Sequence, residues 1–272
     1  MTAESGHWNA YAARWALIGE PLRPGASDLA QLELRVRRYL DAAAPISALL
    51  LGVTPEVATW RWPETLRLLA IDKSEGMLRA VWPGDNEWRR ALLGDWLTFE
   101  AAERFDLVHG DGVFTLLDYP QGYAQLAGAL SRLTRPGGLL DLRLFCRLER
   151  GESLDEVLAA LVSGRIGSFH AFKWRLAMAL QGDATHGVRL ADIWQAFRDR
   201  VGTPSELAAR TGWPEPVIGS IDGYRDREDR YSYSTEREVI ECLAEDFEHL
   251  ETWHPSYELG DRCPHLSFRR RS

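Results

Sequence analysis

The sequence has few cysteines, no long apolar run and no excess of positive charge, and each lack removes a class of function. Three cysteines, Cys146, Cys242 and Cys263, occur in 272 residues. They are widely spaced, odd in number and form no CxxC pair, which argues against a disulfide framework and a structural zinc site and fits a reducing compartment. No stretch approaches the roughly 20 apolar residues that span a bilayer. The opening residues MTAESGHWNAYAARW lack the basic and then apolar regions of a secretion signal. A soluble, cytoplasmic protein without a membrane partner is expected. Acidic residues outnumber basic ones by 40 to 32, for a net charge of -8, and a surface of that sign repels phosphate backbones. The run Arg269-Arg270-Arg271 is too short to reverse this, so no nucleic-acid partner is expected. His170, His186, His254 and His265 are scattered without the spacing of metal ligands, so no metal is expected.

What is present is apolar bulk. Hydrophobic residues make up 45% of the chain and eleven are tryptophan, enough for one large domain or one domain with an insertion. The tryptophans fit core packing or an aromatic-lined pocket. Asp28 stands before Leu29, Leu32, Val36 and Leu40 at helical spacing, which predicts an N-cap and a helix over 28–43. Four short apolar runs follow: 46–51, 67–71, 105–108 and 138–145. Each reads as a strand buried on both faces, and helices are predicted between them at 54–60, 74–80 and 119–133. Such alternation predicts βαβ units and a doubly wound, mostly parallel α/β sheet. Residues 151–230 break the rhythm, with helical patterns and no clear strand, and read as a helical insertion before the last two strands at 250–253 and 265–268. A helix at about 235–247 precedes those strands. Ligands of doubly wound sheets sit beyond the carboxyl ends of the strands, near the reversal of strand order.

Four segments at those strand ends carry a resemblance. Leu49-Leu50-Leu51-Gly52-Val53-Thr54-Pro55-Glu56 places a glycine after the first strand, where a backbone can approach a ligand closely. Leu69-Ala70-Ile71-Asp72 ends the second strand in a carboxylate, 20 residues after Gly52, the spacing that suits a ribose. Leu93-Gly94-Asp95-Trp96 offers a carboxylate and an indole. Phe105 to Gly112, then Arg135-Pro136-Gly137-Gly138, form a strand with its loop and a helix-ending turn. In this order the segments resemble the class I S-adenosylmethionine-dependent methyltransferase family over residues 46–145, with weaker support at 235–271. The resemblance implies a Rossmann-like core over 46–150, an N-terminal helical segment over 1–45, a helical lid over 151–230 and completion of the sheet by 231–272. It implies S-adenosyl-L-methionine as cofactor, with Asp72 on the ribose, Met77 and Trp96 on the adenine, Asp95 on its amino group, and Gly52, Val53, Thr54, Lys73 and Gly110 around it. His109 and Asp111 are the candidate catalytic bases. The family's further glycines are Thr54 and Glu56 here, and its frequent acidic residue two places before the first glycine is Leu50.

Other readings remain beside this one. A nicotinamide oxidoreductase would want G-x-G-x-x-G after the first strand, and a nucleotide-phosphate site G-x-x-x-x-G-K-[ST]; both are missing. The Asn/Asp-Pro-Pro-aromatic motif of some nucleobase and amide methyltransferases is missing too, which argues against a nucleic-acid substrate; a small-molecule acceptor is expected. Tyr11, Trp15 and Arg23 could close over the cofactor from the N-terminal side. Tyr231, Tyr233, His254 and Tyr257 could face the substrate. The altered loop motivates a second reading, a binding protein of the same fold that senses S-adenosylmethionine without turnover. Residues 205–221 resemble a helix-turn-helix and support a third, DNA binding, although Pro214 to Gly223 offers no Arg, Lys, Asn or Gln to base edges. Oligomeric state leaves no sequence signal.

Overall fold

The computed structural model describes residues 12, 15–41, 43–181 and 185–272. Tyr11 lies outside the described residues. The strands are β1 (Ile46–Leu51), β2 (Leu66–Asp72), β3 (Arg89–Leu93), β4 (Phe105–Asp111), β5 (Thr134–Arg143), β6 (Val188–Arg189), β7 (Arg230–Tyr231), β8 (Phe247–Trp253) and β9 (His265–Arg270). Seven of them form one sheet in the order β3-β2-β1-β4-β5-β9-β8. β1 to β5 run parallel, and β9 is antiparallel to both β5 and β8.

Apolar runs in β1, β2 and β4 arise because helices cover both faces of the sheet. On one face Leu50, Ala70, Leu107 and Leu139 pack with Leu29, Leu32 and Val36 of the helix Ala26–Tyr39. On the other, Leu49, Ile71, Val108 and Leu140 pack with the helices Gln121–Leu133 and Glu236–Leu243. A third apolar cluster fills a helical lobe built on Leu154–Val162, Phe169–Gln181, Leu190–Arg200 and Pro204–Thr211. Ile18, Leu22 and Phe145 join that cluster, so the lobe rests on the carboxyl edge of the sheet.

Three local expectations are corrected. β3 was missed because it is an edge strand with no buried run: Leu92 and Leu93 are 41% and 56% exposed. The first helix begins at Ala26, with Gly25 as its N-cap, and Asp28 sits at the third helical position, where its Oδ2 accepts the Gly25 N–H at 2.7 Å. The lobe also contains strand, the two-residue ribbon β6–β7, too short to register as a pattern.

Candidate active site

The strand order reverses between β1 and β4. At the end of β1 the chain turns at Gly52, whose φ of +96° lies where side chains are disfavoured. The turn aims the Gly52 N–H at the Ile71 carbonyl, 2.7 Å away, and so fastens the end of β1 to the end of β2. Asp72 follows at once. It is 9% exposed, and its Oδ1 accepts the Ser74 N–H at 2.8 Å. Oδ2 lies 4.0 Å from where a Cβ on residue 52 would stand and accepts no hydrogen bond from any described residue. Burial, only partly offset by the Ser74 bond and the Lys73 charge, pushes the Asp72 carboxyl up to about 6. A sunken carboxylate with an open oxygen is costly unless a ligand supplies donors.

The next strand end adds two groups. Gly94 N–H donates to the Asp72 carbonyl at 3.0 Å, which brings Asp95 and Trp96 beside β2. Asp95 Oδ1 accepts the Leu97 N–H at 2.9 Å, and its other oxygen takes no hydrogen bond from a described residue. Trp96 Nε1 donates to the Ile71 carbonyl at 2.9 Å, so its half-buried indole caps the end of β2 beside Gly52. Lys73 is exposed. Met77 and Val53 are 5% and 1% exposed within the cluster under the helix Ala26–Tyr39, so Val53 offers a ligand mainly its backbone.

Between β1 and β4 the loop side chains are already engaged. Thr54 Oγ1 reaches Asp111 Oδ2 at 3.5 Å, and Glu56 pairs with Arg23, which itself stacks over the Trp15 ring at 5.0 Å. The residues standing where the family has glycines therefore tie the loop to β4 and to the segment before the first helix. Asp111 Oδ1 accepts Arg143 Nη1 at 2.6 Å. Arg143 is wholly buried; it also donates to the Pro21 carbonyl and to Tyr257 Oη at 3.3 Å, and stands 3.7 Å from Asp28. These carboxylates raise its pKa well above the usual arginine value against the opposing effect of burial. Sequence reasoning missed Arg143 as a site residue; the available signal was a lone cation in the apolar strand run Leu139–Phe145.

His109 falls on the sheet face beneath the helix Ala26–Tyr39. It is 3% exposed, with Nδ1 3.3 Å from Asp141 Oδ1. Burial would raise the Asp141 carboxyl, but the Arg35 charge and the hydrogen bonds of His109 and His265 hold it well below its ordinary range. His265 bridges onward to Asp28 at 2.9 Å. The ring is thus tied through Nδ1 to an internal polar lattice. Gly110 has its own packing reason, since a Cβ there would meet Val113 at 2.9 Å and Leu142 at 3.2 Å. Of the other candidates, Tyr257 joins Arg143, Tyr231 and Tyr233 are buried in the lobe, and His254 pairs with Glu236 at 2.7 Å on the exposed side. Residues 205–221 do not build a reading helix: Pro204–Thr211 is followed by Glu215–Ile218, four residues, and then a 3-10 turn that buries Ile221.

No protein-family profile and no curated protein matches the sequence. Solved structures do match. The methyltransferase CcbJ of Streptomyces caelestis aligns over 100% of both chains at 16% identity with a TM-score of 0.57. The N-methyltransferase NodS of Bradyrhizobium japonicum WM9, in complex with S-adenosyl-L-homocysteine, aligns over 97% of this chain and 100% of its own at 15% identity and a TM-score of 0.51. The chain has the class I methyltransferase fold. A protein described as a putative Zn-dependent alcohol dehydrogenase from Rhodobacter sphaeroides aligns over 100% of both chains at 12% identity and a TM-score of 0.63. At such identities the likeness concerns architecture, and chemistry must be argued from the site. Among the described residues no three His, Cys, Asp or Glu side chains converge as a metal site requires, and no helix is long and apolar enough to cross a membrane.

Proposed function

We propose that the chain binds S-adenosyl-L-methionine at the carboxyl edge of β1 and β2 and methylates a small-molecule acceptor. The observation that carries the reading is the pairing of Gly52 with the open oxygen of Asp72. Two adjacent ribose hydroxyls supply the donors that this buried carboxylate lacks, and the missing Cβ at residue 52 leaves room for the sugar. Asp95, with one oxygen open, suits the amino group of an adenine, and Trp96 offers a flat apolar wall. Gly52, Val53 and Thr54 present backbone to the amino-acid end, with Lys73, Met77 and Gly110 as the supporting surround. When bound, the cofactor supplies a methyl group activated on a sulfonium. The chain's own part is to fix the direction of approach and keep water out, which can account for much of the acceleration. Asp111 is the acid nearest the reacting end; its pairing with Arg143 suits it to orienting a donor on the acceptor.

The second reading, a sensor that binds without turnover, is favoured by the ties of Thr54 to Asp111 and Glu56 to Arg23. Calorimetry with S-adenosylhomocysteine tests binding for both. Formation of S-adenosylhomocysteine from S-adenosylmethionine across a metabolite panel then separates them: turnover supports the enzyme, and tight binding without turnover on any acceptor supports the sensor. Absence of S-adenosylhomocysteine binding refutes both.

A further inference from the structure

The helical lobe holds a cation that this function leaves unused. Lys173 lies on the helix Phe169–Gln181, which is buried on nearly every side, and is itself 1% exposed. Around its nitrogen stand rings: the centroids of Phe169, Trp174 and Tyr224 are 5.9, 5.7 and 5.1 Å away. No carboxylate and no hydrogen bond from a described residue reaches it. Ring faces stabilise a cation only in part, and burial pushes the amine down to about 7. His170 is the titratable neighbour one turn back. Burial and the Lys173 charge push it down to about 4; its Nε2 lies 3.0 Å from the Leu17 carbonyl oxygen and 3.2 Å from the Gly19 nitrogen, and an imidazole in either protonation state brings no countercharge to a cation. Further donors in the same lobe lack acceptors among the described residues: Trp174 Nε1 and Ser220 Oγ are buried without a partner there. Buried polar groups are normally satisfied, so orphaned donors in one lobe need a specific reason.

The lobe also packs toward the buried Arg143 that pairs with Asp111. The Trp174 ring lies 5.3 Å from Phe145, and Phe145 lies 5.1 Å from the Arg143 guanidinium carbon. An aromatic wall thus runs from the end of β5 to Lys173. We propose that Lys173 anchors the acceptor subsite and that the methyl acceptor is an aromatic carboxylic acid whose carboxylate pairs with this amine. The acid's ring stacks on the wall, and its oxygens meet the donors that have no partner. An anion beside the amine restores its charge, so binding above pH 7 takes up a proton. The word acceptor rests on the methyltransferase reading; the carboxylate site does not.

The test is calorimetry of the full chain with benzoate, salicylate and indole-3-carboxylate, with and without S-adenosylhomocysteine, in two pH 8 buffers of different ionisation heat. The expected result is binding of at least one acid with uptake approaching roughly one proton per ligand, and no binding of benzamide. Lys173→Met is expected to keep its affinity for S-adenosylhomocysteine, to lose that for the acid by about tenfold or more, and to lose the proton uptake. A readout independent of the variant is the nitrogen resonance of Lys173 in the unaltered protein, whose titration midpoint moves up by about one unit or more under saturating acid. Failure of all three acids to bind, binding without proton uptake, or equal binding to Lys173→Met overturns the proposal. Loss of S-adenosylhomocysteine binding alone, with the acids behaving as expected, refutes the methyltransferase reading and leaves the Lys173 site standing.

Discussion

Replacing Asp72 by Asn separates what this carboxylate does for the ligand from what it does to the fold. The native carboxyl is raised from 3.8 to about 6 by burial. An acid whose folded value is raised destabilises the fold once it ionises. The effect is absent below the unfolded value near 3.8, grows between there and 6, and is complete above 6. About two units correspond to about 3 kcal/mol. Asn keeps an oxygen for the Ser74 N–H and never ionises. Asp72→Asn should therefore stabilise the protein at pH 8 by up to about 3 kcal/mol, roughly 6 °C in Tm for a chain of this size, and have little effect near pH 4. The same variant should bind S-adenosylhomocysteine at least about tenfold more weakly, because hydrogen bonds to a charged acceptor are each worth about 1.5–3 kcal/mol. Thermal melts at the two pH values and calorimetry at pH 8 give both readouts. A variant that melts no higher at pH 8, or that binds the ligand as well as the parent, would refute the reasoning.

Three other outcomes follow from the same geometry. Because the ribose hydroxyls donate to an ionised Asp72, affinity for S-adenosylhomocysteine should weaken as pH falls below 6, approaching about tenfold per unit; calorimetry from pH 5 to 8 that finds a flat profile contradicts the assigned role. Gly112 has φ of +67°, and a Cβ there would lie 2.6 Å from the Phe145 ring, so Gly112→Ala should cost roughly 2 kcal/mol or more in urea unfolding, and a loss under about 0.5 kcal/mol would show that the ring yields. Arg143→Met leaves Asp28 and Asp111 without their buried cation and should lower stability by about 3–5 kcal/mol; denaturant midpoints that hardly move would show the cation to be dispensable.

The centre of the sheet was readable because being buried on both faces writes the same signal into every strand. β1, β2 and β4 are apolar runs ended by Gly52, Asp72 and the His109–Gly112 stretch, and strand ends are where the topology gathers ligands. β3 escaped because none of its side chains is buried. The antiparallel setting of β9 escaped because neighbouring strands pair by topology, which a local pattern does not record. Asp72 and Gly52 were legible as a pair because their 20-residue spacing reflects one βαβ unit. For His109 the sequence shows which strand the residue ends but not its face; the alternation turns its Nδ1 toward Asp141, which also pairs with Arg35. Arg143 and Lys173 were passed over for the opposite reason. A cation inside an apolar stretch breaks the pattern, and that break is itself the mark of a buried charge.

The position of β9 bears on how the protein is made. Residues 265–270 form an interior strand, flanked by β5 on one side and β8 on the other, so β8 can join the sheet only through a segment that leaves the ribosome after it. Until then the flank of β5 stands open, and a nascent chain carries an unsatisfied edge able to pair with a neighbouring copy. Slow synthesis or truncation within 265–270 should therefore show itself as aggregation rather than as a smaller soluble fragment.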